Sequence, residues 1–430
     1  MVSNAHVITE LPGGVRVVTE RVPAVRSVAL GFWIGSGSCS ESDAQAGLSH
    51  LLEHMLFRGT KRYRSEEIDQ IFDTMGAELN AATGKEMTSV YARVLDEHLE
   101  RAFDVIVQMI SEPTMHGLAE EREVVLEEIA MYEDDPQDLI FDVLGETIFP
   151  DNPLGRATLG RAEVVGATTR EELVAFHRER YSPGSIVIAA AGSVEHERIV
   201  GWAGDALASL APAEPDQLAA PAVAANGALS TRFRLRDTEQ YHLTLGAVGL
   251  ARDDDRRFAL RVLDSILGGT SSSRLFQAVR EQRGLAYSVF TFQSLFKHTG
   301  EIGLYVGTRP ENLVEVCEVL ATELGRIREQ PVSAEELERA KENVKGRIVL
   351  ALESTSARMD RLGSAVLAGM PILELDETIA RIEAVDEGAV GALAAELFAP
   401  ERLCAAAIGP DEDVFRAAIA PLMPALAEAP

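Results

Sequence analysis

Three internal echoes constrain the fold of this chain more than any other feature of it. Tyr181-Ser182-Pro183 leads into an apolar run, Ser185 to Gly192, that ends Ala-Ala-Ala-Gly; 217 residues later, Phe398-Ala399-Pro400 leads into Arg402 to Gly409, which ends Ala-Ala-Ile-Gly. Gly76 and Gly284 lie 208 apart, and each closes an amphipathic helical pattern and opens a strand pattern. Gly59-Thr60 and Gly269-Thr270 repeat at an offset of 210. Similar offsets in one order predict two copies of a fold of roughly 200 residues. We expect a first half over 1–208, a linker over 209–230, and a second half over 231–430. The linker segment is rich in Ala and Pro and has no helical period.

Each half mixes strands and helices in blocks rather than in strict alternation, which predicts an α+β fold with largely antiparallel sheet. The chain opens as a hairpin, His6 to Leu11 and Val15 to Thr19, around Pro12-Gly13-Gly14. A strand follows over Ser27 to Ile34, then a loop over Gly35 to Gln45, then a helix beginning near Gly47. Ser65 to Met75 reads as a helix with Ser65 as its cap, Ile68, Ile71, Phe72 and Met75 on one face, and Gly76 as its stop. One strand is expected from Ala77 to Val94. A helix follows from Asp96, with Leu99, Phe103, Ile106 and Ile110 inward, and another over Ala119 to Met131, with Pro136 beyond its end.

The 430 residues are 46% hydrophobic and 25% charged, enough apolar material for a full core. Lys and Arg number 40 against 68 Asp and Glu, a net charge of −28. With no basic patch to displace phosphate counterions, nucleic acid is not an expected partner. The acidic excess serves solubility or attracts cationic ligands. Cys39, Cys317 and Cys404 are too scattered for a disulfide framework, and Cys404 sits in an apolar run that reads as core. The N-terminus lacks the basic and apolar regions of a secretory signal, and no apolar stretch is long enough to span a bilayer. Membrane is therefore not an expected partner, and the cytoplasm is the expected location.

The chemistry concentrates in Gly47-Leu48-Ser49-His50-Leu51-Leu52-Glu53-His54-Met55-Leu56-Phe57. This holds His-x-x-Glu-His, the inverse of His-Glu-x-x-His and the inverzincin signature. Positions i, i+3 and i+4 share one helical face, so His50 and His54 can both offer imidazole nitrogen to one metal ion while Glu53 reaches the same space. A third ligand is needed, since catalytic zinc takes three protein ligands and keeps one position open. The segment from Glu121 to Ile129 supplies candidates. Glu121 and Glu128, seven apart, share a helical face, whereas Glu127 points about 100° away from Glu128 and reads as solvated.

These pieces, with others, resemble the M16 family of zinc metallopeptidases, the pitrilysin and insulysin group. The likeness is to the branch with the mitochondrial processing peptidase β-subunit and its bacterial relatives. It rests on Gly47 through Thr60, on Asn80-Ala81-Ala82-Thr83 with Glu86, Thr88 and Tyr91, and on Glu121-Arg122 with Val124 through Glu128. In the second half it rests on Ser273-Arg274-Leu275-Phe276 through Arg280, then Gly284-Leu285-Ala286-Tyr287. The resemblance implies two homologous halves closing as a clamshell around a chamber. It implies one Zn2+ per chain, held by His50, His54 and Glu128, with Glu53 as general base for the zinc-bound water and Glu121 orienting a ligand from behind. The second half carries Leu260, Leu263 and Asp264 where the first has His50, Glu53 and His54. That half cannot bind zinc the same way, and the resemblance makes Arg280 and Tyr287 its contribution to substrate binding and the transition state.

The expected function is zinc-dependent endopeptidase action on short or unfolded peptides, basic ones included. Substrate is expected to lie extended along the edge near Leu79 to Thr83, with Asn80 and Ala81 supplying backbone pairing. A homodimer is the expected assembly. The alternative is an assisting or structural subunit of a heterodimer, a role that resembled members with a broken zinc motif fill; here the motif is intact.

Overall fold

The computed structural model describes residues 6–207 and 229–424. The expected linker over 209–230 therefore lies outside the described residues, apart from its last two. The described chain forms two compact units, each built on its own sheet.

The first sheet holds β1 (His6–Glu10), β2 (Arg16–Arg21), β3 (Ser27–Ile34), β4 (Glu78–Thr83), β5 (Thr88–Leu95) and β6 (Ile186–Gly192), in the order β1-β2-β6-β3-β5-β4. The second holds β7 (Ser230–Leu235), β8 (Tyr241–Gly249), β9 (Ala286–Leu295), β10 (Gly300–Thr308) and β11 (Cys404–Gly409), in the order β7-β11-β8-β10-β9. Without β1, the two orders superimpose strand for strand. Even the one parallel pairing in each recurs, β2 with β6 and β7 with β11. The echoes thus mark equivalent places: β6 and β11 are the two runs that end in glycine. Gly76 and Gly284 both sit in the left-handed region, at φ 59° and 63°, where a glycine ends a helix without steric cost.

The units are not continuous stretches of chain. The first comprises the described residues up to Ala130, those from Arg156 to 207, and Val349–Glu374; the second comprises Met131–Gly155, residues 229 to Ile348, and Leu375 onward. The expected halves, 1–208 and 231–430, miss this exchange. Its cause is visible in β3, which is buried on both faces. Val28, Leu30, Phe32 and Ile34 point into the main core, while Ala29 and Trp33 point to the opposite face. A strand buried on both sides needs a second cover. The helix Thr355–Leu367 provides it, through Met359, Leu362 and Val366. Gly31 and Gly363 make the room: a Cβ at either would lie within 2.5 Å of the Trp33 ring. Glu20, fully buried on β2, accepts from Arg358 and Arg361 of the same helix, the latter at 2.8 Å. In the second unit the helix Pro136–Ile148 covers the sheet likewise, and a Cβ on Gly246 of β8 would meet Ile148 at 2.9 Å and Leu144 at 3.0 Å.

Locally, three expectations change. The single strand over 77–94 is two strands, β4 and β5, because 84–87 turns back and β4 pairs antiparallel with β5. Ser65 is the first helical residue rather than the cap; its hydroxyl donates to the Phe57 carbonyl at 2.9 Å. Pro136 does more than stop a helix. It opens the next one behind the Asp135 cap, a position where its missing N–H costs nothing.

Candidate metal centre

Three elements build the centre: α1 (Leu48–Leu56), β4, and the part of α2 (Leu118–Asp134) that lies in the first unit. The start of α1 is set by Gly47, at φ 105°, and by Glu41. The buried Glu41 carboxylate accepts from the backbone of Gly47 at 2.9 Å and of Ser49 at 2.7 Å, satisfying amides that the first turn leaves unpaired. Leu48, Leu51, Leu52, Met55 and Leu56 anchor α1 in the core. That burial fixes the direction in which His50, Glu53 and His54 project.

On α2, Leu118, Val125 and Ile129 are buried, Glu121 and Glu128 are partly buried, and Glu127 is exposed. Glu128 Oε2 lies 3.6 Å from His50 Nε2 and 3.3 Å from His54 Nε2. One ligand atom from each of His50, His54 and Glu128 falls within 4.8 Å of the others. A tetrahedral ion with ligands at about 2.0–2.1 Å holds them about 3.3–3.4 Å apart, so this donor set fits zinc. The two imidazoles meet edge to face, with centroids 4.7 Å apart. Burial, followed by the neighbouring His54, pushes the His50 pKa down to about 4. His50 is thus neutral across the ordinary pH range, the form that can coordinate a metal.

Glu121 stands behind the ligands. Its Oε1 is 2.8 Å from His54 Nδ1, which leaves Nε2 of that ring for the metal. Arg58 holds the other oxygen of Glu121 at 3.3 Å. His50 differs: its Nδ1 is buried without a hydrogen-bond partner among the described residues.

Glu53 is partly buried, and burial, the largest influence, raises its carboxyl above the ordinary range. Hydrogen bonds from Thr83 and the charge of His54 oppose the rise, while Glu128 adds to it. The Thr83 hydroxyl donates to Glu53 Oε2 at 2.5 Å. Motif spacing did not foresee this contact. A signal was present, however: Thr83 and Thr291 each follow their left-handed glycine by seven residues.

Asn80 and Ala81 lie on β4, an edge strand with one neighbour in the sheet. The exposed Asn80 side chain accepts from the Ala81 amide at 2.8 Å, so strand addition there would displace that bond. Arg280 and Tyr287 belong to the second unit and are brought together with each other. The Arg280 guanidinium sits 4.4 Å from the Tyr287 ring centroid and 4.8 Å from that of Phe276, and its Nη1 donates to the Tyr287 carbonyl at 3.1 Å. Tyr287 itself is 79% exposed. At the positions equivalent to His50, Glu53 and His54, Leu260 and Leu263 are fully buried core, and Asp264 bonds to Thr291.

Known proteins resemble this chain over most of its length. A family model described as "Insulinase (Peptidase family M16)" matches residues 16–162, and one described as "Peptidase M16 inactive domain" matches 167–344. An uncharacterized zinc protease of Streptomyces coelicolor is 41% identical over 413 residues, spanning 94% of this chain and 90% of the relative. YmxG, an uncharacterized zinc protease of Bacillus subtilis, is 38% identical, spanning 90% of this chain and 94% of its own. Among solved structures, a protease from Helicobacter pylori aligns with TM-score 0.87 at 20% identity, over 95% of this chain and 100% of the other. The peptidase M16 inactive domain from Pseudomonas fluorescens aligns with TM-score 0.86 at 23% identity, over 95% and 98%. At those identities the structures speak for the fold. Among the described residues, no helix is long and apolar enough to cross a membrane.

Proposed function

The chain belongs to peptidase family M16, and on that premise we propose that it is a zinc-dependent endopeptidase acting on short or unfolded peptides. The observation that carries the proposal is the clustering of His50, His54 and Glu128 at zinc-like separations, beside a carboxylate already held in place. In this reading His50, His54 and Glu128 hold one zinc ion. Zinc so held supplies Lewis acidity, acidifying water and polarising the scissile carbonyl.

The remaining work falls to side chains. Glu53 takes the proton from the attacking water and passes it to the leaving amine. A carboxyl group suits both halves of that task, since the base that takes the proton must also give it up. Glu121 fixes the His54 ring through Nδ1. An extended peptide pairs with the β4 edge at Asn80 and Ala81 once the Asn80 side chain gives up the Ala81 amide. Arg280 and Tyr287 are assigned to binding substrate and stabilising the oxyanion, on family resemblance.

The carboxylates around the site and the net charge of −28 favour basic peptides as substrates. By family resemblance the proposed assembly is a homodimer, and the proposed location is the cytoplasm. The test is turnover of a quenched basic peptide by zinc-loaded protein. Turnover is expected to vanish on chelation, return with zinc, and weaken as salt screens the acidic field. Turnover that survives complete zinc removal would refute the proposal.

A further inference from the structure

We propose that Thr83 is a positioning residue for Glu53, its hydroxyl fixing the carboxylate that the peptidase reading uses as base. The inference rests on that reading and deepens it. Thr83 Oγ1 lies 2.5 Å from Glu53 Oε2, and the Thr83 backbone also bonds to the carboxylate. The direction of the hydroxyl is determined by its neighbours. Thr88, buried on β5, donates its proton to the Ser36 carbonyl at 2.9 Å, because a carbonyl can only accept. Thr88 therefore has no proton for Thr83, which lies 3.5 Å away. Thr83 spends its own on Glu53, which when ionised can only accept.

The bond also survives the chemistry. Proton uptake on the other carboxyl oxygen leaves Oε2 an acceptor, so Thr83 holds Glu53 in both protonation states. The geometry ties the base to β4, the strand proposed to receive the peptide. Base and substrate are thus set by one rigid element, the arrangement that accurate placement of reacting groups demands.

The second unit supplies a counter-hypothesis. Thr291 donates to Asp264 Oδ1 at 2.6 Å from the equivalent strand. A threonine–carboxylate bond there cannot serve a metal ligand set that the unit lacks, so the bond could be a structural pin in both units. The experiment separates the two. Thr83→Val and Thr83→Ser, each zinc-loaded with zinc content measured, are assayed for kcat and KM and crystallised, with Thr291→Val as the control.

The positioning role predicts that Thr83→Val keeps zinc and KM while kcat falls roughly 10–100-fold, as loss of a group that orients reacting atoms does. Thr83→Ser should restore kcat, and Thr291→Val should leave it unchanged. In the crystal, the Glu53 carboxylate should move in the valine variant and stay in the serine variant. Wild-type kcat in Thr83→Val overturns the inference, as does a serine variant as slow as the valine one. An inactive wild type would count against the peptidase reading instead. The crystal structures would then decide for Thr83: an unmoved Glu53 in Thr83→Val overturns its role.

Discussion

The helix–strand pairs α1 with β4 and Arg257–Leu267 with β9 occupy the same place in their two sheets, yet they differ in what they can do. In each, a threonine seven residues past a left-handed glycine holds a carboxylate on the helix: Thr83 with Glu53, Thr291 with Asp264. In each, burial raises that carboxyl above its ordinary range, and the threonine bond opposes the rise. The first helix adds His50 and His54, with Glu128 beside them; the second carries Leu260 and Leu263 packed in the core. The comparison teaches that the repeat preserves a scaffold, while a few side chains on one helix decide whether it can hold metal.

The largest expected effect breaks the symmetry outright. Glu53→Gln should retain zinc and lose about 10²–10⁴-fold in kcat, the range for a general base, while Asp264→Asn should leave kcat at the wild-type value. Steady-state kinetics with zinc content measured on the same samples would show it; comparable losses in both would erase the distinction. A smaller effect concerns the ligand support that the second unit lacks. Glu121→Gln should weaken zinc affinity roughly 10–100-fold, read by competition with a chelator, because the His54 ring loses a charged acceptor. Affinity unchanged by the substitution would leave Glu121 without a part in the centre.

The smallest effect is thermal. Asp264 has a folded pKa above its unfolded value, with burial as the first cause. Its ionised form therefore costs stability above the folded pKa, and protonation relieves that cost as pH falls. Asp264→Asn keeps an acceptor for Thr291 and removes the buried charge. Its Tm should exceed that of wild type at pH 7 by a few degrees, about the effect of 1 kcal/mol in a unit of this size, and the gap should close toward pH 4. A gap that widens on acidification would contradict the assignment.

Much of this was legible in the sequence because it is local. His50, Glu53 and His54 sit at a spacing that only one face of a helix can satisfy, and Glu121 and Glu128 follow the same rule. The echoes located equivalent strands, because a repeated fold must bury the same apolar runs. What was not legible is pairing over long distances. The run Ser27 to Ile34 reads as a strand, but nothing in it names the helix Thr355–Leu367, more than 300 residues later, as the cover for Trp33. The turn between β4 and β5 escaped notice although Gly84-Lys85-Glu86 breaks the strand propensity, because a lone glycine within a strand pattern also fits a bulge in one continuous strand. The Thr83–Glu53 bond escaped notice because it joins a helix to a strand 30 residues on.

The central claim, that His50, His54 and Glu128 hold the metal on which peptidase activity depends, is tested most directly by elemental analysis of purified protein. Wild type and Glu127→Gln should each carry one zinc per chain, whereas Glu128→Gln should carry much less, since Glu127 is exposed and Glu128 Oε2 faces both imidazoles. Equal zinc in all three proteins would contradict the account.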